Sequence, residues 1–348
     1  MSDNKYSIKK CIIYLSIVFF IFLHVLEITY RIYQYIILDV PIISVLHNIS
    51  TNEVDVSGAI TMAKGHPLMH YVLNPEKLSH TEDYFRVTDD VPFPKKYIVC
   101  MGGSSTYGTR VSARDAYPNQ LQKFLNVKNK KYKVLNAGVP GWSMPHQLAR
   151  YIYDIRLRQT IPDMLILYVG YNDTWGSLLN DQTLPAHSES LKLFRDEKPL
   201  WMSYRFLIWL FSKTELLTGK EIVDNSLNDF AFKKGVPPPE GINKKNLVRF
   251  QKEFDLLLKI AKMDNIRVLA VLQDTNGKFS WHLEKKAFEL LREEIRKISL
   301  ENSVYIVDMH EITHSKPEYF ADTIHMTKLG NEVRGKHLAE IVSNILKD

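Results

Sequence analysis

Residues 97–108 read Tyr97-Ile98-Val99-Cys100-Met101-Gly102-Gly103-Ser104-Ser105-Thr106-Tyr107-Gly108. A short apolar run closed by glycines is the pattern of a strand buried on both faces. The paired glycines let the backbone turn sharply at its end and let a substrate come close to Ser104. Working outward, the same rhythm recurs at 132–136, 164–169, 266–272 and 304–308. Between these runs lie helical patterns around 116–126, 145–158, 246–263 and 283–300, with a last one at 328–346. Apolar strands alternating with amphipathic helices predict an α/β fold, with a parallel five-stranded sheet covered by helices on both faces. In such sheets the ligand crevice lies beyond the carboxyl ends of the strands.

Composition narrows the classes. The chain has 348 residues, 45% of them hydrophobic, and a formal net charge of +6. That is enough apolar chain for a large core, which excludes a disordered or collagen-like polymer. No Lys/Arg run exceeds three residues, so no nucleic-acid partner is expected. Cys11 and Cys100, the 2 cysteines, lie far apart in apolar runs and encode neither a disulfide framework nor a cysteine zinc site.

The N-terminal segment carries an address. Cys11 to Leu26 is broken only by Ser16 and His24, and extended to Ile28 it measures about 27 Å as a helix, close to a bilayer core. Lys5, Lys9 and Lys10 precede it, and Arg31 stands beyond it beside Glu27 and Asp39. The positive-inside rule then predicts a single-pass anchor with its N-terminus in the cytoplasm and the rest of the chain outside, in the periplasm if the source is Gram-negative. Cleavage as a signal peptide is disfavoured because no small-x-small site follows. The expected organisation is a tip and transmembrane helix at 1–38, a juxtamembrane segment at 39–92 and a main domain at 93–348. Residues 174–245 interrupt the alternation with an aromatic-rich stretch and three consecutive prolines, the pattern of a lid or specificity insert.

The chemically suggestive residues all follow strands. Ser104 follows the first. The second leads into Asn136-Ala137-Gly138-Val139-Pro140-Gly141, the third ends at Gly170-Tyr171-Asn172-Asp173, and Asp322-Thr323-Ile324-His325 precedes Thr327, a natural N-cap for the last helix. A P-loop fails for want of a lysine after Gly108, and a nucleophile elbow fails because Thr106 occupies the glycine position.

These four blocks, in this order, resemble those of the SGNH (GDSL-type) serine hydrolases, which include esterases and lipases. The resemblance covers roughly residues 93–348. It implies a flavodoxin-like three-layer α/β/α sandwich with Ser104 as nucleophile, His325 as general base and Asp322 as its orienting partner. It further implies an oxyanion hole built from the Ser104 N–H, the Gly141 N–H and the Asn172 amide, and no metal or cofactor. One departure stands out: that family usually has Asp where this chain has Gly103. Trp142 and Tyr171 flank the oxyanion residues and are candidates for lining the substrate pocket, although core packing is an equal reading.

The function expected is a serine esterase acting through an acyl-enzyme on an O-acyl ester, with an envelope glycan or lipid as substrate. Two other readings keep the same fold: an O-acyltransferase that modifies a cell-surface polysaccharide, and a non-catalytic envelope scaffold. His310-Glu311-Ile312-Thr313-His314 spells the zinc-hydrolase pattern, but that chemistry needs a helix carrying both imidazoles on one face, and Pro317 limits any helix here.

Overall fold

The computed structural model describes residues 10, 13–26, 28–29, 63–75, 78–127, 131–179, 241–279, 281–313 and 316–347. Strands β1 (Ala63–His66) and β2 (His70–Leu73) form an antiparallel hairpin. The main sheet consists of β3 (Lys96–Gly102), β4 (Tyr132–Gly138), β5 (Met164–Tyr168), β6 (Arg267–Leu272) and β7 (Tyr305–Asp308). All its pairings are parallel, and the spatial order is β4-β3-β5-β6-β7. This is the doubly wound order that starts from its first strand and grows in both directions, so the crevice belongs at the β3/β5 edge.

Side-chain alternation along β3 builds both cores at once. Ile98 and Cys100 pack with Leu121, Leu338 and Val342, from the helices Tyr117–Asn126 and Lys328–Ile345. Val99 and Met101 point the other way and pack with Tyr151, Phe254, Leu257 and Leu291, from the helices Met144–Tyr153, Lys244–Met263 and His282–Glu301. Each such fully buried side chain is worth about 1.5–3 kcal/mol over exposure, which is why this register is strongly specified. The three-layer arrangement expected from the sequence is therefore present, with five parallel strands and helices on both faces.

The strands and four of the five long helices lie within two residues of their expected limits. The exception is 145–158, which ends as an α-helix at Tyr153; Asp154 leaves helical geometry and a 3-10 turn Ile155–Leu157 follows. Asp154 accepts ion contacts from both Arg150 and Arg158 at 2.7 Å, which pin this break. Asn243 caps Lys244–Met263 by accepting from the N–H groups of Lys245 and Asn246, and Thr327 caps the last helix as foreseen.

The expected membrane span falls partly outside the described residues. Residues 13–26 are helical, and of their large apolar side chains from Ile13 to Val25 all but the half-buried Leu23 are exposed. Residues 10, 28 and 29 are helical as well, and among the described residues no helix is long and apolar enough to cross a membrane. Cys11, Ile12 and Glu27 of the expected span, and residues 180–240 of the expected insert, lie outside the described residues. Of the insert's described ends, Trp175, Leu178 and Leu179 are buried, on a stretch of π-helix Thr174–Leu179 that packs into the domain.

Part of the stretch expected to be juxtamembrane is structurally engaged. Met69, Tyr71, Val72 and Leu73 cluster with Tyr107, Val139 and Trp142, so the hairpin backs the two loops beyond β3 and β4.

Candidate active site

β3 ends at Gly102, which pairs with Gly138 of β4 and Tyr168 of β5 at the carboxyl edge of the sheet. A one-turn helix, Ser104–Tyr107, starts there with Gly103 as its N-cap and Gly108 in left-handed geometry at its end. As the first helical residue, Ser104 has an N–H with no intrahelical acceptor. The end of this turn is clamped from a distance. Arg86, 2% exposed, donates from Nη1 to the Tyr107 and Gly108 carbonyls (2.6 and 2.8 Å) and from Nη2 to the Val111 carbonyl (2.8 Å). Its guanidinium also lies 4.0 Å from the centre of the Tyr107 ring.

Residues 322–325 come from the far end of the chain. The Ser104 Oγ and His325 Nε2 are 2.7 Å apart, and His325 Nδ1 and Asp322 Oδ2 are also 2.7 Å apart. Asp322 Oδ1 accepts the backbone N–H groups of Ile324 and His325 at 3.0 and 2.9 Å. Burial works against the charge on this carboxyl, yet the hydrogen bonds from the His325 ring and the two N–H groups outweigh it and hold its pKa at about 2. Asn276 steadies the loop by donating to the Asp322 carbonyl at 2.8 Å. A hydroxyl, an imidazole and an ionised carboxylate thus stand in one hydrogen-bonded sequence, the arrangement that lets an imidazole take a hydroxyl proton and remain oriented as it does so.

The loop after β4 turns at Gly141, whose φ of +85° is one that favours glycine. Asn172, on the one-turn helix Tyr171–Asp173 after β5, donates its side-chain amide to the Trp142 carbonyl at 2.8 Å. One amide hydrogen is used in that bond; the other is left for a ligand. Asp173 ties the two loops together, since its Oδ1 accepts the Met144 N–H at 2.8 Å. Asp173 is 2% exposed, and burial pushes its pKa up to about 7 against the pull of the Met144 bond.

Among the described residues a narrow cleft opens over Ser104, lined by Gly103, Asn172, Tyr171, Gln273 and Ile324. It has about 10 Å³ of room, about one water's worth. Gly141 is not among the lining residues. Trp142 borders it, but the indole is only 2% exposed and packs against Tyr71 and His146, so the ring serves the core. Tyr171 lines the cleft while its hydroxyl is held by Glu284 at 2.9 Å. The zinc pattern lies on a four-residue helix, His310–Thr313, with His314 outside the described residues. Among the described residues no group of three or more metal-ligating side chains is assembled.

Several residues that shape the site had no sequence signal. Arg86 and Tyr71, whose hydroxyl donates to the Pro140 carbonyl at 2.8 Å, come from the stretch read as juxtamembrane. Gln273 donates to the Ser105 Oγ at 3.2 Å, and that hydroxyl donates to the Ile324 carbonyl, so β6 is linked to both the serine turn and the histidine loop. Arg110 lies against Asp322.

A family model of GDSL-like lipases and acylhydrolases matches residues 100–333. No curated protein matches the chain in sequence. Among solved structures, the acetylxylan esterase Axe2 from Geobacillus stearothermophilus is 12% identical over 71% of this chain and 94% of that one, with a TM-score of 0.45. The lipase/acylhydrolase from Enterococcus faecalis is 13% identical over 72% of this chain and 96% of that one, also with a TM-score of 0.45.

Proposed function

The chain belongs to the GDSL-like lipase/acylhydrolase family and is an ester-hydrolysing serine hydrolase, and on that premise we propose that it removes a short acyl group from an O-acyl ester of an envelope glycan or lipid. The observation that carries the reading is the Ser104–His325–Asp322 sequence of contacts, 2.7 Å at each link.

In this reading Ser104 Oγ attacks the acyl carbon while His325 Nε2 takes its proton. The carbonyl π electrons move to the oxygen, and the oxyanion meets the Ser104 N–H, the Gly141 N–H and the free Asn172 amide hydrogen. One such preorganised donor is worth about 3 kcal/mol. Asp322 keeps the imidazole in the tautomer with its Nδ1–H toward the carboxylate and offsets the imidazolium charge. The tetrahedral adduct expels the alcohol, which takes the proton from His325 Nε2 and leaves an acyl-Ser104 ester. Water then enters, loses a proton to His325, and the acid departs as Ser104 regains its own. The expected anchor would hold the domain at the outer side of the cytoplasmic membrane, where envelope esters are within reach; the exposed apolar helix at 13–26 supports contact with lipid.

The full-length chain assayed with p-nitrophenyl acetate, butyrate and octanoate tests this reading. It predicts turnover that falls with chain length and vanishes in Ser104→Ala, with free acid as the product when a glycan acceptor is present. An acylated glycan would make the protein a transferase, and absence of turnover on every ester would overturn the reading. For the anchor, the full chain should stay in the membrane pellet after carbonate washing and a chain lacking 1–38 should not.

A further inference from the structure

Beyond the serine turn the backbone takes a left-handed step at Arg110, with φ at +75°. Such a step is uncommon for a residue with a side chain. It carries the guanidinium to the 322–325 loop, where Arg110 Nε lies 3.2 Å from Asp322 Oδ2, the oxygen that also accepts from His325 Nδ1. Arg110 Nε makes no directed hydrogen bond there, so the two groups meet through charge. Both side chains are 28% exposed, which leaves the pair only partly screened.

We propose that Arg110 is a positioning residue that acts through Asp322, sharing its charge and so keeping His325 available as a neutral base toward lower pH. The proposal rests on the roles given above to Asp322 and His325. A carboxylate beside an imidazole favours the imidazolium; a fixed cation on the same carboxylate oxygen opposes it. The other charged or titratable groups around the couple are held elsewhere. Tyr171 feels the Asp322 charge but gives its hydroxyl to Glu284. Lys328 pairs with Asp115 at 3.1 Å. Lys278 meets the loop through its carbonyl, which accepts the Thr323 hydroxyl. Asp173 faces Met144 from the far side of Asn172. Among the described residues Arg110 is the only lysine or arginine within 4.0 Å of the Asp322 carboxylate.

The test compares full-length parent, Arg110→Met and Arg110→Lys by the pH profile of kcat/KM on p-nitrophenyl acetate at fixed ionic strength. In Arg110→Met the acid limb should move up by about 0.5–1 pH unit, whereas Arg110→Lys, which keeps the charge, should stay within about 0.2 of the parent. A limb unmoved in Arg110→Met, or displaced equally in Arg110→Lys, overturns the proposal. If Arg110→Met does not fold, Arg110→Gln carries the same comparison. Should the parent turn over no ester, the hydrolase reading fails separately; titration of the His325 ring protons by NMR in the same variants then decides the role of Arg110.

Discussion

A β-carbon built on Gly103 would lie 2.4 Å from Asn172 Nδ2, closer than such atoms approach. The residue before the serine and the amide beyond the third sheet strand therefore compete for one space, and this chain gives it to the amide. That contact is a constraint a side chain at position 103 would meet. Asn172, held by the Trp142 carbonyl, occupies that space in this chain.

Installing an aspartate at position 103 should therefore harm the enzyme. Gly103→Asp is expected to displace the Asn172 amide and lower kcat about 100-fold, as loss of one oxyanion donor does, with KM little changed. Steady-state kinetics beside Asn172→Ala check it: the two variants should resemble each other, and the double variant should be little worse than either.

Asp322 links activity to acid stability. Asp322→Asn should lower kcat by about 10⁴ through loss of the imidazole tautomer. Because the folded-state pKa is depressed to about 2, the carboxylate stabilises the fold above the ordinary carboxylate range and ceases to as pH falls through about 2. Urea denaturation should show the parent losing about 2 kcal/mol relative to Asp322→Asn between about pH 5 and pH 2.

The opposite slope is expected from Asp173. Its folded-state pKa is raised by burial to about 7, so the native state keeps a proton that the unfolded chain releases near pH 4. Stability should fall as pH climbs through that window and level off above it. Asp173→Asn, whose side-chain oxygen can still accept from Met144, should be the more stable form at pH 8 by about 2–4 kcal/mol and show no advantage near pH 4. Urea midpoints across pH 4–8 measure this directly.

Behind the sheet edge, Asp274 is fully buried with Arg334 Nη2 at 2.7 Å, the Thr313 hydroxyl at 2.7 Å and the Tyr168 hydroxyl as donors. It joins the ends of β5 and β6 to the last helix. Arg334→Met should cost about 3–5 kcal/mol, because it strands a buried carboxylate. Arg334→Met with Asp274→Asn should cost less than the single change, and chemical denaturation of the set reads the difference.

Much of the architecture was legible in the residues because the central strands β3, β5 and β6 are short, apolar runs almost entirely buried, which leaves little register freedom. Ser104, Asn172, Asp322 and His325 could be singled out because each immediately follows a strand or precedes a capped helix, where local pattern and site geometry coincide. The contacts that brace them were not legible. Arg86 reaches the serine turn across 21 residues of sequence and Tyr71 reaches Pro140 across 69, with no period or motif to announce either. Gly103 was visible but its contact with Asn172 was not, and the left-handed step that sets Arg110 on Asp322 carries no sequence signal. The helix at 145–158 was read too long because its break is set by the Arg150–Asp154–Arg158 contacts rather than by a proline or glycine.

The central claim is that Ser104 is a hydroxyl activated by its contact with His325. Treating the full-length chain with a fluorophosphonate probe and mapping the adduct by peptide mass spectrometry tests it most directly. The account predicts a single phosphonylated residue, Ser104, with labelling abolished in Ser104→Ala and strongly slowed in His325→Ala; a folded parent chain that takes up no probe, or takes it up at another serine, contradicts it.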